Sequence, residues 1–516
     1  MGTKLDWNKL LSPRRFADDL RATPPKKPRP DWLTDNRSEI ERDYDRILFS
    51  TPVRRMADKT QVFPLEKNES VRSRLTHSHE VSNLARSIGM SIAYGKIGKK
   101  ITAELNGDES QERVQRDVPA MLAAIGLAHD LGNPPFGHQG EIAIRNWFDS
   151  KKELFNHIET DPYKDKNDIA AAGKEITRPL TSSEQNDFLM FEGNAQTLRV
   201  LTRLQVVHDD LGLNLTYGTL AAVMKYSASS CSVSALGNAS LEKIGHFAAE
   251  QAIVDAIWAE TGLKEGVRHP LAFIMEACDD IAYLILDAED AVKKQIVSFS
   301  DLIAGLELLV DDDGLANYVV KSALADHAKY RETKELSPAE LNDVSMQKFR
   351  VYAIHAFMCA TLEVFEAQYD SIMDGEYQGE LLMSGRAERL AKALRTFDKN
   401  HAYLHRRVKE LELEGFNALN GLMDFLWRGI SERKSFLKPR SSRDKPFPAF
   451  AYQSISENYR RVFEGWHHPI RKNEPTLPMR YRELQLLADA VSGMTDGYVI
   501  DLHSQLQKYA IGASNG

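Results

Sequence analysis

The stretch MLAAIGLAHDLGNPPFGHQGE, residues 121–141, decides how the chain is read. Leu122, Ile125 and His129 recur at helical spacing, so His129 shares the inward stripe of the aliphatic residues. Gly132, then Pro134 and Pro135, end that helix directly afterwards, and a side chain at such an end is held rigidly. Asp130 points about 100° further round and meets the same point in space only if the helix terminus borders it. A lone inward histidine is more often a core residue than a ligand, and a bare His-Asp dipeptide says little. A second such pair, His208-Asp209 in LQVVHDDLGLN, makes that plain.

Two other stretches supply partners. In RLTHSHEVSNLARSIG, residues 74–89, Val81, Leu84 and Ile88 form a helical stripe, and four residues back from Val81 stands His77. His77 therefore faces the interior, while His79 falls on the opposite face. In HPLAFIMEACDDIAYLILDAEDAV, residues 269–292, Asp279, Tyr283 and Asp287 are four apart and form one strip of a helix. Periodicity leaves open whether Asp279 or Asp280 joins the histidines. A carboxylate buried amid Ile, Leu and Ala demands a cation, because an unpaired charge there is expensive. Two His and two Asp leave coordination positions open on a divalent ion such as Mg2+ or Mn2+. Metals held in this way serve phosphoryl chemistry or hydrolysis.

The bulk composition narrows the classes. With 516 residues, 42% hydrophobic and 27% charged, the chain is an ordinary globular protein with ample material for a core. It has no apolar run long enough to span a bilayer, and its start lacks the apolar core of a secretory signal. Cys231, Cys278 and Cys359 show no Cys-x-x-Cys spacing, so neither a disulfide framework nor a thiolate zinc site is expected, and the expected location is cytoplasmic. A net charge of −8 argues against wholesale coating of nucleic acid, so any polyanion must be met by a local basic site.

From about Ser38 onward the helical period dominates, and the fold is expected to be all-α. Three segments are expected. Residues 1–50 hold a helix and a Pro/Lys-rich arm, TPPKKPRPDW at 23–32. Residues 51–335 form the core that carries the candidate ligands, with a polar insertion at about 151–187. Residues 336–516 are a helical region packing on that core. The stretch SERKSFLKPRSSRDKPFPAF, 431–450, interleaves basic residues with Phe436, Phe447 and Phe450. Such a pattern can hold single-stranded nucleic acid or a neighbouring subunit's phosphate, although charge runs are commonly just solvated.

Several motifs follow one another in a telling order: TPVRRMADKTQVFPLEKNESVRSRLTHSHEV, GLAHDLGNPPFGHQGEIAI, FEGNAQTLRV, LNLTYGTLAAVMKY, EACDDIAYLILDAEDAV and the late YRELQLLADAVSGMTDGYV. In this order they resemble the HD-domain deoxynucleoside triphosphate triphosphohydrolases, and within them the bacterial dGTPase branch. The resemblance implies a helical HD phosphohydrolase core with additional C-terminal helices. It implies one divalent metal per subunit, Mg2+ or Mn2+, on His77, His129, Asp130 and Asp279, which selects Asp279 over Asp280. The implied reaction cleaves the bond between the α-phosphorus and O5′ of dGTP, releasing deoxyguanosine and inorganic triphosphate and so controlling dNTP pools.

The sugar alkoxide is a poor leaving group that needs a proton, a task for a histidine. By resemblance His138 and Glu141 are the catalytic pair. Arg74, Asn194, Lys225, Tyr226 and Lys243 would meet the triphosphate. Gln61 and Asp287 would hold the 3′-hydroxyl, Tyr283 would crowd C2′ against ribonucleotides, and Val62 would lie beside the base, with Glu412 a candidate reader of guanine. Asn133 stands where vertebrate members carry a second histidine; it cannot titrate, which leaves the proton to His138. The family also implies a homo-oligomer, hexamer or tetramer, and single-stranded DNA as an effector. Other readings are a broader dNTP triphosphohydrolase, an HD-type 5′-nucleotidase, or a nucleotide- or DNA-binding regulator with an idle site.

Overall fold

The computed structural model describes residues 4–20, 35–63, 65, 70–156, 177–205, 211–234, 238–309, 313–333, 335–465 and 477–514. The arm at 23–32, the middle of the insertion and the His208-Asp209 pair lie outside the described residues. Among the described residues every regular element is helical, with only isolated bridging pairs and no strand. The helices that bear on the site are numbered here in chain order: α1 (Glu39–Leu48), α2 (Arg74–Tyr94), α3 (Ser110–Ala128), α4 (Gly137–Ser150), α5 (Gly193–Thr202), α6 (Pro270–Lys293), α7 (Pro338–Met373), α8 (Glu388–Asp398), α9 (Arg406–Ser431), α10 (Met479–Ser492) and α11 (Asp496–Ser514).

Their ends follow from local chemistry. Ser38 and Glu41 close α1 with a reciprocal capping box. Pro270 opens α6 at its first position, and His269 Nδ1 accepts the Leu271 N–H at 3.1 Å. The stripes read from sequence are the packed faces: Val81, Leu84 and Ile88 of α2 and Leu122 and Ile125 of α3 are all buried, as are Ile281 and Ile285 of α6. Each such side chain contributes roughly 1.5–3 kcal/mol by leaving water. Helices α2 and α3 pack along each other, and α6 packs on both and on α7.

One contiguous apolar core draws on all three expected segments, from Leu5 to Leu506. Trp7 is fully buried, and its Nε1 donates to the Tyr369 hydroxyl on α7 at 2.8 Å. At the other end, α9 packs against α4, α10 and α11. Helix α10 is buried along its whole length, so its charges must find partners inside. Asp489 receives Arg199 of α5 through two bonds of 2.7 Å, and the same guanidinium meets Glu250 at 2.7 Å. The paired geometry is the strong, bidentate kind.

Two expectations are modified. A helix, Ser182–Leu189, begins inside the stretch read as a polar insertion, because Thr181 and Glu184 cap it and Phe188 is buried. The basic loop is engaged within the chain. Arg433 is buried against Glu483 and the Phe436 carbonyl, and Arg443 lies 3.3 Å from the centre of the Tyr452 ring. Lys434, Arg440 and Lys445 face Asp444, Glu464 and Glu432 at 3.0, 3.2 and 3.5 Å. No helix among the described residues is long and apolar enough to cross a membrane.

Asp489→Asn leaves Arg199 buried with half its pairing, and is expected to lower unfolding free energy by about 3–5 kcal/mol in urea titration. A loss below about 1 kcal/mol would show that α10 is held by packing alone.

Candidate active site

Helices α2, α3 and α6 converge on one point. His129 immediately follows α3, and its Nδ1 donates to the Gly126 carbonyl at 2.7 Å. That bond satisfies one of the carbonyls stranded at a helix end and aims Nε2 inward. The turn beyond is held by α5: Thr197 Oγ1 accepts the Gly132 N–H at 2.9 Å. Asp279 Oδ1 lies 3.1 Å from His77 Nε2 and 3.4 Å from His129 Nε2. Ligand atoms of His77, His129 and Asp279 all fall within 4.8 Å of one another. Asp130 stands at the edge of this group, its Oδ1 3.5 Å from His129 Nε2. Its oxygens are also engaged by Asn133 Nδ2 at 2.6 Å and Arg74 Nη1 at 2.5 Å. Asp280 instead lies 3.9 Å from Arg395, and His79 is exposed.

His129 Nε2 is buried and has no hydrogen-bond partner among the described residues. A nitrogen facing two carboxylates calls for positive charge between them, either a proton or a bound cation. Burial opposes charging this imidazole, yet Asp130 and Asp279 outweigh it and push the group up to about 9. Burial likewise favours a neutral Asp279, but His129, His77 and Lys225 hold it well below the usual carboxylate range. The residues thus fit a divalent cation on His77, His129 and Asp279, with Asp130 beside them.

A cleft of about 190 Å3 opens over this group, lined by Arg74, His129, Asp130, His138, Glu141, Asn194, Lys225, Lys243 and Asp279, and also by Asn133, Glu192 and Met275. His138 is 68% exposed, so its ring is open to a ligand in the cleft, and its Nδ1 lies 3.2 Å from Glu141 Oε2. Glu141 is buried; burial disfavours its charge, but His138, Arg145 and the Gly193 N–H, 2.8 Å from Oε1, hold it below the usual range. An ionised carboxylate only accepts, so His138 Nδ1 carries the proton of that bond. Gly137 begins α4 at φ +54°, and a Cβ there would meet Arg74 Nη2 at 2.5 Å. Both the left-handed backbone and that close approach favour glycine.

The cationic residues come from three directions. Lys225 Nζ lies 3.5 Å from Glu276 and 3.9 Å from Asp279. Asn194 Nδ2 donates to Glu192 Oε1 at 2.8 Å, and Lys243 Nζ stands 3.4 Å from the same oxygen. Glu192 was not expected in the site, although its place two residues before Asn194 in FEGNAQ put it within reach. Tyr226 is buried beneath Lys225, Lys243 and Arg268, at 6.0, 5.7 and 5.7 Å from its ring centre.

Tyr283, Asp287, Gln61, Val62 and Tyr226 do not line the cleft. Tyr283 and Asp287 continue the Asp279 strip along α6. Tyr403 joins them: its ring lies 5.6 Å from that of Tyr283, and its hydroxyl donates to Asp287 Oδ2 at 2.7 Å. It ends a π-helical turn, Lys399–Tyr403, that no periodicity announces. Gln61 Oε1 is buried without a partner among the described residues, and Val62 packs on a small cluster of Phe63, Ala291, Ala402 and Val408. Glu412 lies on α9 with Lys409 at 2.8 Å.

This helical core with its His and Asp cluster is that of an HD-domain hydrolase, and the HD domain family model matches residues 74–180. The chain is 34% identical to a deoxyguanosinetriphosphate triphosphohydrolase-like protein of Listeria innocua, over 97% of this chain and 99% of that one. It is 31% identical to the deoxyguanosinetriphosphate triphosphohydrolase of Serratia proteamaculans, over 91% and 93%. To a deoxyguanosinetriphosphate triphosphohydrolase-like protein of Pseudomonas aeruginosa it is 30% identical, over 97% and 98%. The chain belongs to the deoxyguanosinetriphosphate triphosphohydrolase family.

Elemental analysis of protein dialysed against Mn2+ should separate the two neighbouring aspartates. Asp279→Ala is expected to lose most of its metal and Asp280→Ala to keep it. Equal metal in both variants would remove Asp279 from the ligand set.

Proposed function

We propose that the protein hydrolyses dGTP to deoxyguanosine and inorganic triphosphate, and by doing so controls dNTP pools. The observation that carries this reading is one cleft over a His/His/Asp group, in which an exposed His on a buried carboxylate and several cationic side chains face one another. The family and its named relatives supply the substrate class.

His77, His129, Asp130 and Asp279 would hold a divalent ion, Mg2+ or Mn2+, which when bound acidifies water and withdraws charge from phosphoryl oxygens. Arg74, Lys225, Asn194 and Lys243 bind the triphosphate, whose charge calls for several donors, and Tyr226 supports the two lysines from beneath. Asn194 and Lys243 exchange the Glu192 oxygen for phosphate oxygens on binding. Water adds at the α-phosphorus as the bond to O5′ breaks, and His138 gives its proton to the departing O5′. Glu141 orients the imidazole through its contact with Nδ1.

Substrate choice lies further along α6. Asp287 and Gln61 hold the 3′-hydroxyl, and Gln61 brings to it a buried oxygen that has no partner among the described residues. Tyr283 crowds C2′, which a ribose hydroxyl would need, while Val62 flanks the base and Glu412 reads guanine. A cytoplasmic, homo-oligomeric enzyme, with single-stranded DNA as effector, belongs to the same reading through the family resemblance.

Incubation with each of the four dNTPs and with GTP, with chromatographic separation of nucleoside from triphosphate, tests the reaction. Deoxyguanosine and intact triphosphate from dGTP are expected, with little from GTP. Orthophosphate released from a monophosphate would point to a nucleotidase and overturn the proposal. His138→Ala should bind dGTP and metal normally yet lose on the order of 10²-fold or more in kcat. Near-normal turnover would take His138 out of the mechanism.

A further inference from the structure

The late motif YRELQLLADAVSGMTDGYV has no part in the chemistry above, yet it reaches the turn that carries His138. Asp496 is 2% exposed, and its Oδ1 accepts the Phe136 N–H at 2.9 Å, across 360 residues of chain. Its Oδ2 accepts the Thr60 N–H at 2.9 Å and the Thr60 hydroxyl. The neighbouring Lys59 Nζ donates to the Asn133 carbonyl and to the Ser492 carbonyl, each at 2.7 Å. Both ends of the turn Asn133–Phe136 are therefore tied to residues 492–496, with Lys59 and Thr60 as the bridge.

The backbone of that turn shows why a tie is needed. Phe136 adopts φ +60°, a left-handed conformation that a residue with a bulky side chain enters only when its surroundings impose it. Gly137 follows at φ +54°, and His138 is the next residue. The Phe136 ring lies over α9, where a Cβ on Gly415 would stand 2.6 Å from it. If Phe136 relaxed to an ordinary conformation, the start of α4 and the His138 ring would swing together, and Gly137 would leave its place beside Arg74. Asp496 is the one carboxylate bonded to the Phe136 N–H among the described contacts, and both of its oxygens are already in use.

We propose that Asp496 is a positioning residue for His138: by accepting the Phe136 N–H it holds the left-handed turn that presents the imidazole to the departing O5′. The inference rests on the reading of His138 as proton donor. It makes the C-terminal helices part of the catalytic apparatus rather than a separate layer. Asp496 does not line the cleft, so its loss should act on proton delivery far more than on binding.

The test pairs two substrates, dGTP and its analogue with sulfur bridging C5′ and the α-phosphorus, whose thiolate leaves without needing a proton. Asp496→Ala is expected to lower kcat on dGTP by about 10-fold or more with KM within about threefold, and to act on the thio analogue at close to the wild-type rate. Asp496→Asn keeps an oxygen for Phe136 but loses an acceptor for Thr60, so it should fall between the two with the same preference for the analogue. It also serves if the alanine variant does not fold. Equal losses on both substrates, or an unchanged kcat on dGTP, would overturn the proposal. His138→Ala measured alongside separates the layers: if it loses no rate on dGTP the reading of His138 fails, whereas if it does and Asp496→Ala does not, only the role of Asp496 fails.

Discussion

His129 Nε2 lies 3.4 Å from Asp279 and 3.5 Å from Asp130, and two carboxylates share so small a buried space only with positive charge between them. Unit charges about 4 Å apart near a protein surface repel by about 4 kcal/mol, a large share of the stability of a whole domain. The surrounding helices are arranged to bear that load. Helix α3 stops where its last carbonyls can fix the His129 ring, α6 delivers Asp279 from a helix buried along most of its length, and α2 backs both with His77. Arg74 takes up Oδ2 of Asp130, and Asn133 donates to Oδ1, the oxygen that also faces the histidine.

A second set of buried charges makes the C-terminal region inseparable from that centre. Arg199 ties α5 to α10 through Asp489, and α5 carries both Asn194 of the cleft and Thr197 under the His129 turn. Asp496 and Lys59 tie the other end of the turn. The groups that line the cleft come from core helices and the turns beside them, but these are held by residues about three hundred positions away. A cleft built this way joins a firmly held backbone to an open side chain, as the accessible ring of His138 on its buried carboxylate illustrates.

How much of this is legible in the sequence depends on the range of the interaction. The inward face of His77 against His79, the end of α3 at its Gly and Pro residues, and the strip Asp279, Tyr283, Asp287 follow from helical periodicity, which is a local property. The choice between Asp279 and Asp280 does not, because both flank the same stripe and only the position of another helix separates them. Glu192 escaped notice as one acid in an acidic chain; its pairing with Asn194 and Lys243 exists only once α5 and the Lys243 loop meet. The basic loop misled in the opposite direction. Composition makes Arg433 and Arg443 read as surface charge, whereas Arg433 is buried against Glu483 and Arg443 is half-buried over the Tyr452 ring. The π-turn that places Tyr403 breaks the period on which such reading relies.

Hydrolysis of dGTP in water enriched with oxygen-18 reaches the central claim most directly, since it reports which bond is cut. Attack at the α-phosphorus with departure of O5′ places one labelled oxygen in the triphosphate and none in deoxyguanosine. Label in the 5′-hydroxyl of the nucleoside, or in orthophosphate released from the γ position, would contradict a centre built to attack the α-phosphorus and protonate O5′.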